Sequence, residues 1–286
     1  EMGEALYRRG KADFSEEATG LRQLEIYNAV FRMERNRRDG TRDGVLICGA
    51  YGFGNTGDDA ILQAIIGEMR RIDAHMPVTV LSRRPKDTQR AFGVNACHRF
   101  GVFAIRRVMR RSQLFISGGG SLMQDVTSRL SLWYYLSTIR MAHGCGCKVQ
   151  MYGCGIGPIV YARDKKMAAH VINTCVDKIT LREPDSRETL RDFGVTVPEV
   201  ILASDPALTL PAAEHSRIDS ILRAHDMDIG GKYIGFVLRK WPGMEEKATV
   251  FAAGAVYAYL KYGLTPCFLA STSAPTARPA SSSRSI

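Results

Sequence analysis

Apolar residues form short runs that alternate with helical patterns between residues 44 and 210. Val45-Leu-Ile-Cys48 is a strand-like run, and the apolar residues in 58–69 recur at the spacing of one helix face. Further strand patterns occupy residues 78–81, 114–116, 149–152, 178–181 and 200–202, with helical patterns at 130–141 and 185–193. Strands that alternate with helices predict an α/β fold with a parallel sheet covered on both faces. We predict a complete Rossmann-like domain over residues 44–210.

A second unit with the same alternation begins near Pro211. Its helical and strand patterns are residues 216–224, 233–238, 248–262 and 265–269. The alternation then stops, because residues 270–285 are Ser, Ala, Thr, Pro and Arg without a period and only Ile286 follows them. A β-α-β start is too small to bury both faces of a sheet. We therefore interpret 211–269 as the truncated start of a second Rossmann-like domain and 270–286 as a disordered or frameshifted tail.

Residues 1–43 differ from the rest of the chain. Apolar residues recur at helical spacing between Arg22 and Arg32, a capping signal precedes them at Ser15, and residues 34–43 form a charged linker. This arm resembles the closing helices of a GT-B glycosyltransferase. The resemblance implies that a glycosyltransferase domain precedes the Rossmann-like domain in a longer protein.

The composition is ordinary for a globular protein. Hydrophobic residues make up 45% of the 286 residues and charged residues 24%. No apolar run is long enough for a membrane span, and no signal-peptide pattern begins the chain. The seven cysteines are odd in number and contain no Cys-x-x-Cys pair, so we expect reduced thiols, a cytoplasmic location and no metal site.

Positive charge is concentrated between Arg70 and Arg111. The whole chain carries a net charge of +10, and this stretch has eleven Lys or Arg against two acids, Asp73 and Asp87, so it carries 11 − 2 = +9. Such a patch suits nucleic acid, a phosphorylated substrate or an anionic membrane. Solvated helix faces explain it equally well, because Val102, Ile105 and Val108 share a helical pattern with four of the arginines.

The loop after the first strand is rich in glycine. Gly52, Gly54 and Gly57 match the dinucleotide-binding fingerprint by letter. The strand already ends at Gly49, however, and acidic residues at the start of the next helix would repel a pyrophosphate. The sequence Ser82-Arg83-Arg84 would suit a 2′-phosphate, so a nicotinamide-dependent enzyme stays an alternative.

Polar or glycine-rich segments also follow the later strands, where ligands bind in open parallel sheets. Three glycines allow a ligand to approach the backbone closely, and Asp125 lies just beyond them. Arg182 stands at a predicted strand end and would point into the same crevice. Packed turns, helix caps and an ion pair of Arg182 with Glu183 or Asp185 are the structural alternatives. The ligand candidates from these segments are Gly118, Gly119, Gly120, Asp125, Gly155, Gly157, Arg182 and Asp205.

Five motifs occur in a fixed order. They are Gly-Asn-Thr-Gly-Asp-Asp-Ala at 54–60, Phe-Ile-Ser-Gly-Gly-Gly-Ser-Leu-Met-Gln-Asp at 115–125, Tyr-Gly-Cys-Gly-Ile-Gly-Pro at 152–158, Leu-Arg-Glu-Pro-Asp-Ser at 181–186 and Ser-Asp-Pro-Ala-Leu at 204–208. Together they resemble the bacterial polysaccharide pyruvyl transferase family, especially its cell-surface anchoring (CsaB-like) branch. The resemblance covers residues 44–269.

This resemblance implies two Rossmann-like domains in a GT-B-like arrangement, with the site between them. It implies phosphoenolpyruvate as donor, a lipid-linked or cell-wall polysaccharide as acceptor, a cyclic pyruvate ketal as product, and no cofactor. The branch decorates a secondary cell-wall polymer that holds S-layer proteins, and peripheral contact with the inner face of the membrane fits such an acceptor. The implied catalytic residues are Asp125, Arg182 and Arg239. The implied substrate-binding residues are Gly54, Asn55, Gly57, Asp58, Gly118, Gly119, Gly120, Gly155, Gly157 and Asp205.

One feature departs from the family. The Arg-Leu-His motif expected in the second domain is absent after Leu269, so we expect this chain alone to be nearly inactive. A sugar-nucleotide glycosyltransferase of the same architecture stays an alternative, since fold does not fix function. A non-enzymatic protein that binds an anionic ligand is the third interpretation. We expect no nucleic-acid partner, because the basic stretch lacks interleaved aromatic residues.

Overall fold

The computed structural model describes residues 23, 42–238, 243 and 245–270. The predicted N-terminal arm, apart from Gln23, Arg42 and Asp43, lies outside the described residues. Arg239 and the tail from residue 271 onward also lie outside them. The chain divides into two compact units, and the second unit contains the residues from Pro211 onward together with 54–56.

Seven parallel strands form the sheet of the first unit within residues 42–210. They are β1 (Gly44–Cys48), β2 (Val78–Ser82), β3 (Asn95–His98), β4 (Ser112–Met123), β5 (Lys148–Ile156), β6 (Lys178–Leu181) and β7 (Glu199–Leu202). Their order is β3-β2-β1-β4-β5-β6-β7, and each neighbouring pair is parallel. The predicted α/β class with a Rossmann-like parallel sheet is therefore confirmed.

Helices cover both faces of this sheet. They are α1 (Thr56–Ile72), α2 (Pro85–Phe92), α3 (Val102–Met109), α4 (Arg129–Gly144), α5 (Ala162–Cys175) and α6 (Asp185–Asp192), followed by a 3-10 helix at Pro206–Thr209. Val45 and Ile47 pack in one apolar cluster with α1, whereas Leu46 and Cys48 pack in a second cluster with α4 and α5. Because both faces of β1 are buried, its sequence is a continuous apolar run.

Two strands extend further than the sequence predicts. β4 and β5 continue through their glycines, so Gly118 pairs with Tyr152, and Gly120 pairs with Cys154. The prediction that these glycines form loops after the strands was therefore wrong. Glycine has a low strand propensity, but here the neighbouring strands and α1 leave no room for side chains. The edge strand β3 and helix α2 were not predicted.

The second unit contains a smaller parallel sheet. Within the described residues this unit contains α7 (His215–Ala224), β8 (Tyr233–Leu238), α8 (Ala248–Tyr262) and β9 (Thr265–Ala270). The two strands form the sheet, in which Tyr233 pairs with Thr265. The rings of Phe236 and Phe268 stack at 5.2 Å across the two strands. Several large apolar side chains on these strands and on α8 are exposed. None of the described helices, in either unit, is long and apolar enough to cross a membrane.

Candidate functional site

The sheet order creates a switch point between β1 and β4. Chain connections run outward from these two strands in opposite directions, which opens a crevice beyond their carboxyl ends. The strands are all parallel, so the predicted residues after or at the ends of β4, β5, β6 and β7 share one edge of the sheet. The structure therefore brings Gly119, Gly155 and Arg182 to the same edge.

The glycines of β4 are required by their surroundings. The Tyr51 hydroxyl, which is buried, donates a hydrogen bond to the carbonyl oxygen of Gly118 at 3.1 Å. Gly119 and Gly120 have φ of 59° and 74°, a conformation that favours glycine. A Cβ on Gly119 would lie 2.2 Å from Cγ2 of Ile61. The backbone of β4 can therefore run close to α1 only because these positions lack side chains.

Asp58 borders this glycine segment. It lies in the first turn of α1, and its Oδ1 is 3.3 Å from the position that a Cβ of Gly120 would occupy. The helix begins at Thr56, so Asp58 lies inside its first turn. Burial raises the pKa of neighbouring Asp59 above its usual value. Two acidic residues in this turn disfavour a pyrophosphate at the helix N-terminus.

Arg182 is fixed at the end of β6 by contacts with two other strand ends. Its Nη1 is 3.0 Å from Oδ2 of Asp205, and its Nη2 donates to the hydroxyl of Ser121 at 3.2 Å. The side chain of Arg182 is 26% exposed. A guanidinium has more N–H donors than these contacts use, so Arg182 can also bind an anion.

Gly155 and Glu183 complete this Arg182 cluster. A Cβ on Gly155 would lie 2.7 Å from Oε1 of Glu183, 2.9 Å from Oγ of Ser121 and 3.3 Å from Nε of Arg182. Oε1 of Glu183 also accepts a hydrogen bond from the hydroxyl of Ser186. The absence of a side chain at Gly155 leaves the space in which Arg182 is placed. The sequence analysis considered Glu183 only as an ion-pair partner of Arg182, whose ion pair in the structure is with Asp205, and it did not name Ser121 as a site residue.

Asp205 has a second, structural contact. Its Oδ1 accepts a hydrogen bond from the backbone N–H of Ala207 and thereby caps the 3-10 helix. Pro206 in that helix packs against Gly153, where a Cβ would lie 2.4 Å from the proline ring. Asp205 therefore anchors the chain after β7 and orients Arg182 at the same time.

Asp125 is held by the segment before α5. Its carboxylate is buried, and its two oxygens accept hydrogen bonds from the backbone N–H groups of Val160 at 2.8 Å and Tyr161 at 3.1 Å. Gly157 lies nearby, where a Cβ would be 2.7 Å from Cβ of Gln124. These contacts give Asp125 a structural role, and its predicted catalytic role stays a prediction.

An ion pair between partly exposed Arg129 and buried Asp164 joins α4 to α5 beside Asp125. Asp164 is fully buried and accepts hydrogen bonds from Nε of Arg129 at 2.8 Å and from the indole N–H of Trp133 at 3.1 Å. The Arg129 guanidinium lies 4.2 Å from the ring centre of Tyr161. The hydrogen bond from Arg129 holds the pKa of Asp164 below its usual value. This cluster fixes the backbone that Asp125 also contacts.

The remaining predicted residues are placed as follows. Gly54, with φ of 76°, and Asn55 lie between β1 and α1, and Gly57 lies in the first turn of α1. Arg239 is outside the described residues.

Cys154, next to Gly155, is buried, and burial raises the pKa of its thiol to about 12, so this cysteine is a neutral core residue and not a nucleophile. The described residues contain no group of His, Cys, Asp and Glu that could hold a metal ion.

The fold and site define a Rossmann-like α/β domain with an arginine and a glycine-rich backbone at the carboxyl edge of its sheet. Residues 55–251 match the family described as polysaccharide pyruvyl transferase. The match covers well over half of the chain, so this protein belongs to the polysaccharide pyruvyl transferase family, and the suspected resemblance is confirmed. Family membership makes the protein a transferase.

Two solved structures are also similar to this chain. Both are of Alr3699/HepE from Anabaena, one in complex with UDP-glucose and one in complex with UDP and glucose. The first has a TM-score of 0.46 and 7% identity and covers 79% of this chain and 69% of its own. The second has a TM-score of 0.47 and 8% identity, with coverage of 80% and 69%. No curated protein matches the chain.

Proposed function

We propose that the protein transfers pyruvate from phosphoenolpyruvate to two hydroxyls of a sugar, as a cyclic ketal. The observation that carries this proposal is the Arg182 cluster, in which a partly exposed guanidinium lies beside the glycine-rich ends of β4 and β5. The five ordered motifs favour the cell-surface anchoring branch. The acceptor we propose is therefore a lipid-linked or cell-wall polysaccharide that anchors S-layer proteins, modified on the cytoplasmic side.

The donor's chemistry fits the cluster. Phosphoenolpyruvate carries a carboxylate and a phosphate, and a guanidinium fork binds either group with two parallel hydrogen bonds. In our proposal Arg182 binds one of these groups, while Asp205 and Ser121 keep its side chain at the crevice. Arg239 stays a predicted second ligand of the donor. No cofactor enters the scheme.

The proposed reaction balances without an oxidant or a metal. A proton added to C3 of the enol turns the methylene into a methyl group and makes C2 electrophilic. One sugar hydroxyl attacks C2 and loses its proton, which balances the proton gained at C3. A second hydroxyl then attacks C2, the C2–O bond to phosphate breaks, and the second proton leaves with the phosphate. The enzyme needs a group that accepts the hydroxyl proton.

We assign this base to Asp58 in preference to Asp125. Asp58 is partly buried and lies against Gly120 at the crevice, whereas Asp125 is buried. A general base must come within hydrogen-bond distance of the proton that it removes. Asp58→Asn is expected to remove the residual transfer activity of this chain, while phosphoenolpyruvate still binds. Retention of transfer by Asp58→Asn, together with loss in a folded Asp125→Asn, would restore Asp125 as the base.

Isothermal titration with phosphoenolpyruvate tests the donor site directly. Arg182→Ala is expected to weaken binding by roughly tenfold to a hundredfold, since a hydrogen bond to a charged group contributes about 1.5–3 kcal/mol. Arg191→Ala is the matched control, because Arg191 is an exposed arginine at the other end of α6. Unchanged affinity in Arg182→Ala would contradict the proposal. Binding of UDP-glucose in place of phosphoenolpyruvate would favour the glycosyltransferase alternative.

An exposed basic surface supports peripheral contact with an anionic membrane. The basic α3 surface consists of Phe103, Arg106, Arg107, Arg110 and Arg111, which line a shallow depression of about 400 Å³. The side chain of Phe103, among these arginines, is 92% exposed. Each arginine near an anionic bilayer contributes about 1 kcal/mol, and an exposed aromatic ring can enter the interface. Such contact would bring the transferase to a lipid-linked acceptor.

Vesicle co-sedimentation tests this contact. The protein is expected to bind phosphatidylglycerol vesicles and not phosphatidylcholine vesicles, and binding should fall steeply with salt. Replacement of the four arginines of the basic α3 surface by glutamine should remove binding. Replacement of Arg187 and Arg191 on α6 by glutamine is the control and should have little effect. Equal binding to both kinds of vesicle would contradict an electrostatic contact.

A further inference from the structure

A pocket lies at the carboxyl edge of the main sheet, away from the Arg182 cluster. The Arg99 pocket, with a volume of about 540 Å³, is lined by Phe53, Arg83, His98, Arg99, Phe100, Leu130, Ser131 and Tyr134. Phe53 follows β1, Arg83 follows β2, Arg99 follows β3, and the last three residues belong to α4. The pocket is therefore formed beyond β1–β3, on the opposite side of the switch point from Arg182. Its volume is in the range of small-molecule sites.

Arg99 is a buried cation without a carboxylate partner in the described part of the chain. Its side chain is 9% exposed, its Nε has no hydrogen-bond partner there, and none of the ion pairs found among those residues includes it. Its guanidinium lies 4.2 Å from the ring centre of Tyr134 and 5.2 Å from those of Phe53 and Phe100. Aromatic rings offset only part of the cost of burying a charge. An anionic ligand would supply the missing partner.

Arg83 adds a second positive charge to the same pocket. Its guanidinium is also 5.2 Å from the ring centre of Phe53, so two arginines contact one ring. Arg83 is exposed, and Phe53 and Phe100 are 46% and 65% exposed. Two guanidinium groups suit a ligand with more than one negative charge. The exposed rings suit the apolar face of a sugar ring beside that charge.

We propose that the Arg99 pocket binds the pyrophosphate of the acceptor, with its first sugar against Phe53 and Phe100. The ligand class is a sugar pyrophosphate, whose source is either a polyprenyl lipid or a nucleotide. This assignment rests on the proposed function, because it gives the acceptor a site apart from the donor. The Arg182 cluster then binds phosphoenolpyruvate on the β4–β7 side, and the glycine segment of β4 lies between the two ligands.

Titration with three probes tests the pocket. The probes are inorganic pyrophosphate, UDP-N-acetylglucosamine and a short-chain polyprenyl-pyrophosphate N-acetylglucosamine. We expect the two sugar pyrophosphates to bind more tightly than inorganic pyrophosphate, because only they reach the aromatic rings. Tighter binding of the polyprenyl probe would identify a lipid source, and equal binding would show that the shared sugar pyrophosphate is recognised. Failure of all three probes to bind would overturn the proposal.

Three variants extend this test: two replace arginines of the Arg99 pocket, and the third is a control outside it. Arg83→Ala is expected to weaken the binding of both sugar pyrophosphates by about tenfold, since it removes one charge-assisted contact. Arg99→Met should weaken the binding of sugar pyrophosphates further. A thermal melt of this variant shows whether it is folded. Arg90→Ala, which removes an exposed arginine on α2 outside the pocket, should leave binding unchanged. Wild-type affinity in Arg83→Ala, or equal weakening in Arg90→Ala, would overturn the pocket assignment.

Phosphoenolpyruvate binding separates this inference from the proposed function. Arg83→Ala should leave the phosphoenolpyruvate affinity unchanged, and Arg182→Ala should leave the sugar pyrophosphate affinity unchanged. If the protein binds sugar pyrophosphates through Arg83 but does not bind phosphoenolpyruvate, the pocket stands and the proposed donor is wrong. If it binds phosphoenolpyruvate and no sugar pyrophosphate, the donor proposal stands and the pocket assignment is wrong.

Discussion

The carboxyl edge of the main sheet has two halves of different construction. Beyond β4–β7, glycines bring the backbone close to the crevice, and Arg182 is held by Asp205 and Ser121. Beyond β1–β3, two arginines lie among exposed aromatic rings in a pocket of about 540 Å³. The first half suits a small anion against the backbone, and the second suits a larger ligand with an apolar face.

The two halves also differ in how function and stability are coupled. Gly119 and Asp125, in the glycine half, contact buried groups of neighbouring elements, so changes there should lower the free energy of unfolding. Phe53 and Arg83, in the aromatic half, are largely exposed, so changes there should affect ligands and leave the fold intact.

The largest expected effect is that of Gly119→Ala. A Cβ at this position would lie 2.2 Å from Ile61 in a backbone conformation that alanine disfavours. Overpacking and the unfavourable φ together should cost about 3–4 kcal/mol of unfolding free energy. Gly67→Ala in the exposed face of α1, where nothing lies within 4 Å, is the control and should stabilise by about 0.5–1 kcal/mol. Urea denaturation of both variants measures the difference, and similar midpoints would contradict the packing argument.

Asp125→Ala should have the next largest effect. Removal of the carboxylate leaves the N–H groups of Val160 and Tyr161 without their acceptor, at a cost of about 2 kcal/mol. Asp192→Ala, at the exposed end of α6, should change the unfolding free energy by about 0.5 kcal/mol or less. Equal urea midpoints for the two variants would show that Asp125 does not hold the segment before α5.

Asp164→Asn should alter the response to acid. The pKa of Asp164 is lowered by Arg129, so its ion pair contributes stability above the ordinary value of 3.8 and loses it as pH falls through the lower folded value. Melting temperatures measured from pH 7 down to about pH 2 should differ between wild type and variant near neutrality and converge in acid. A constant difference at all pH values would contradict the ion-pair account.

The smallest effect on stability is expected for Phe53→Ala. Its ring contacts two arginines but is 46% exposed, so the loss should be about 1 kcal/mol or less. The same variant should weaken sugar pyrophosphate binding, whereas Phe103→Ala, outside the Arg99 pocket, should not. A large loss of stability in Phe53→Ala would mean that this half is also a packing site, and the contrast between the halves would fail.

The sequence predicted the parts of the fold that depend on apolar periodicity. Ile61, Leu62, Ile65, Ile66 and Met69 are buried on α1, as their spacing indicates. The predicted bounds of β4 and β5 were too short because glycine usually weakens a strand. Here Gly118 and Gly120 pair inside the sheet. The edge strand β3 was missed because Asn95-Ala-Cys-His98 has neither an apolar run nor an alternation.

The candidate site was predictable only in part. Arg182 stood out because it follows a strand directly, but its partner Asp205 is 23 residues away and pairs through the fold of β6 against β7. Arg99 was counted as one charge in a basic stretch. Its contacts with Phe53 and Tyr134 join three elements that are distant in sequence, and no local pattern predicts them.

Simultaneous binding of the two anions is the most direct test of this account. Phosphoenolpyruvate is titrated into protein already saturated with a sugar pyrophosphate, and the affinity is compared with that of the free protein. The account predicts that phosphoenolpyruvate still binds with nearly the same affinity, because the two ligands occupy different halves of the edge. An apparent Kd that rises in proportion to the sugar pyrophosphate concentration would show a single shared site and contradict the account.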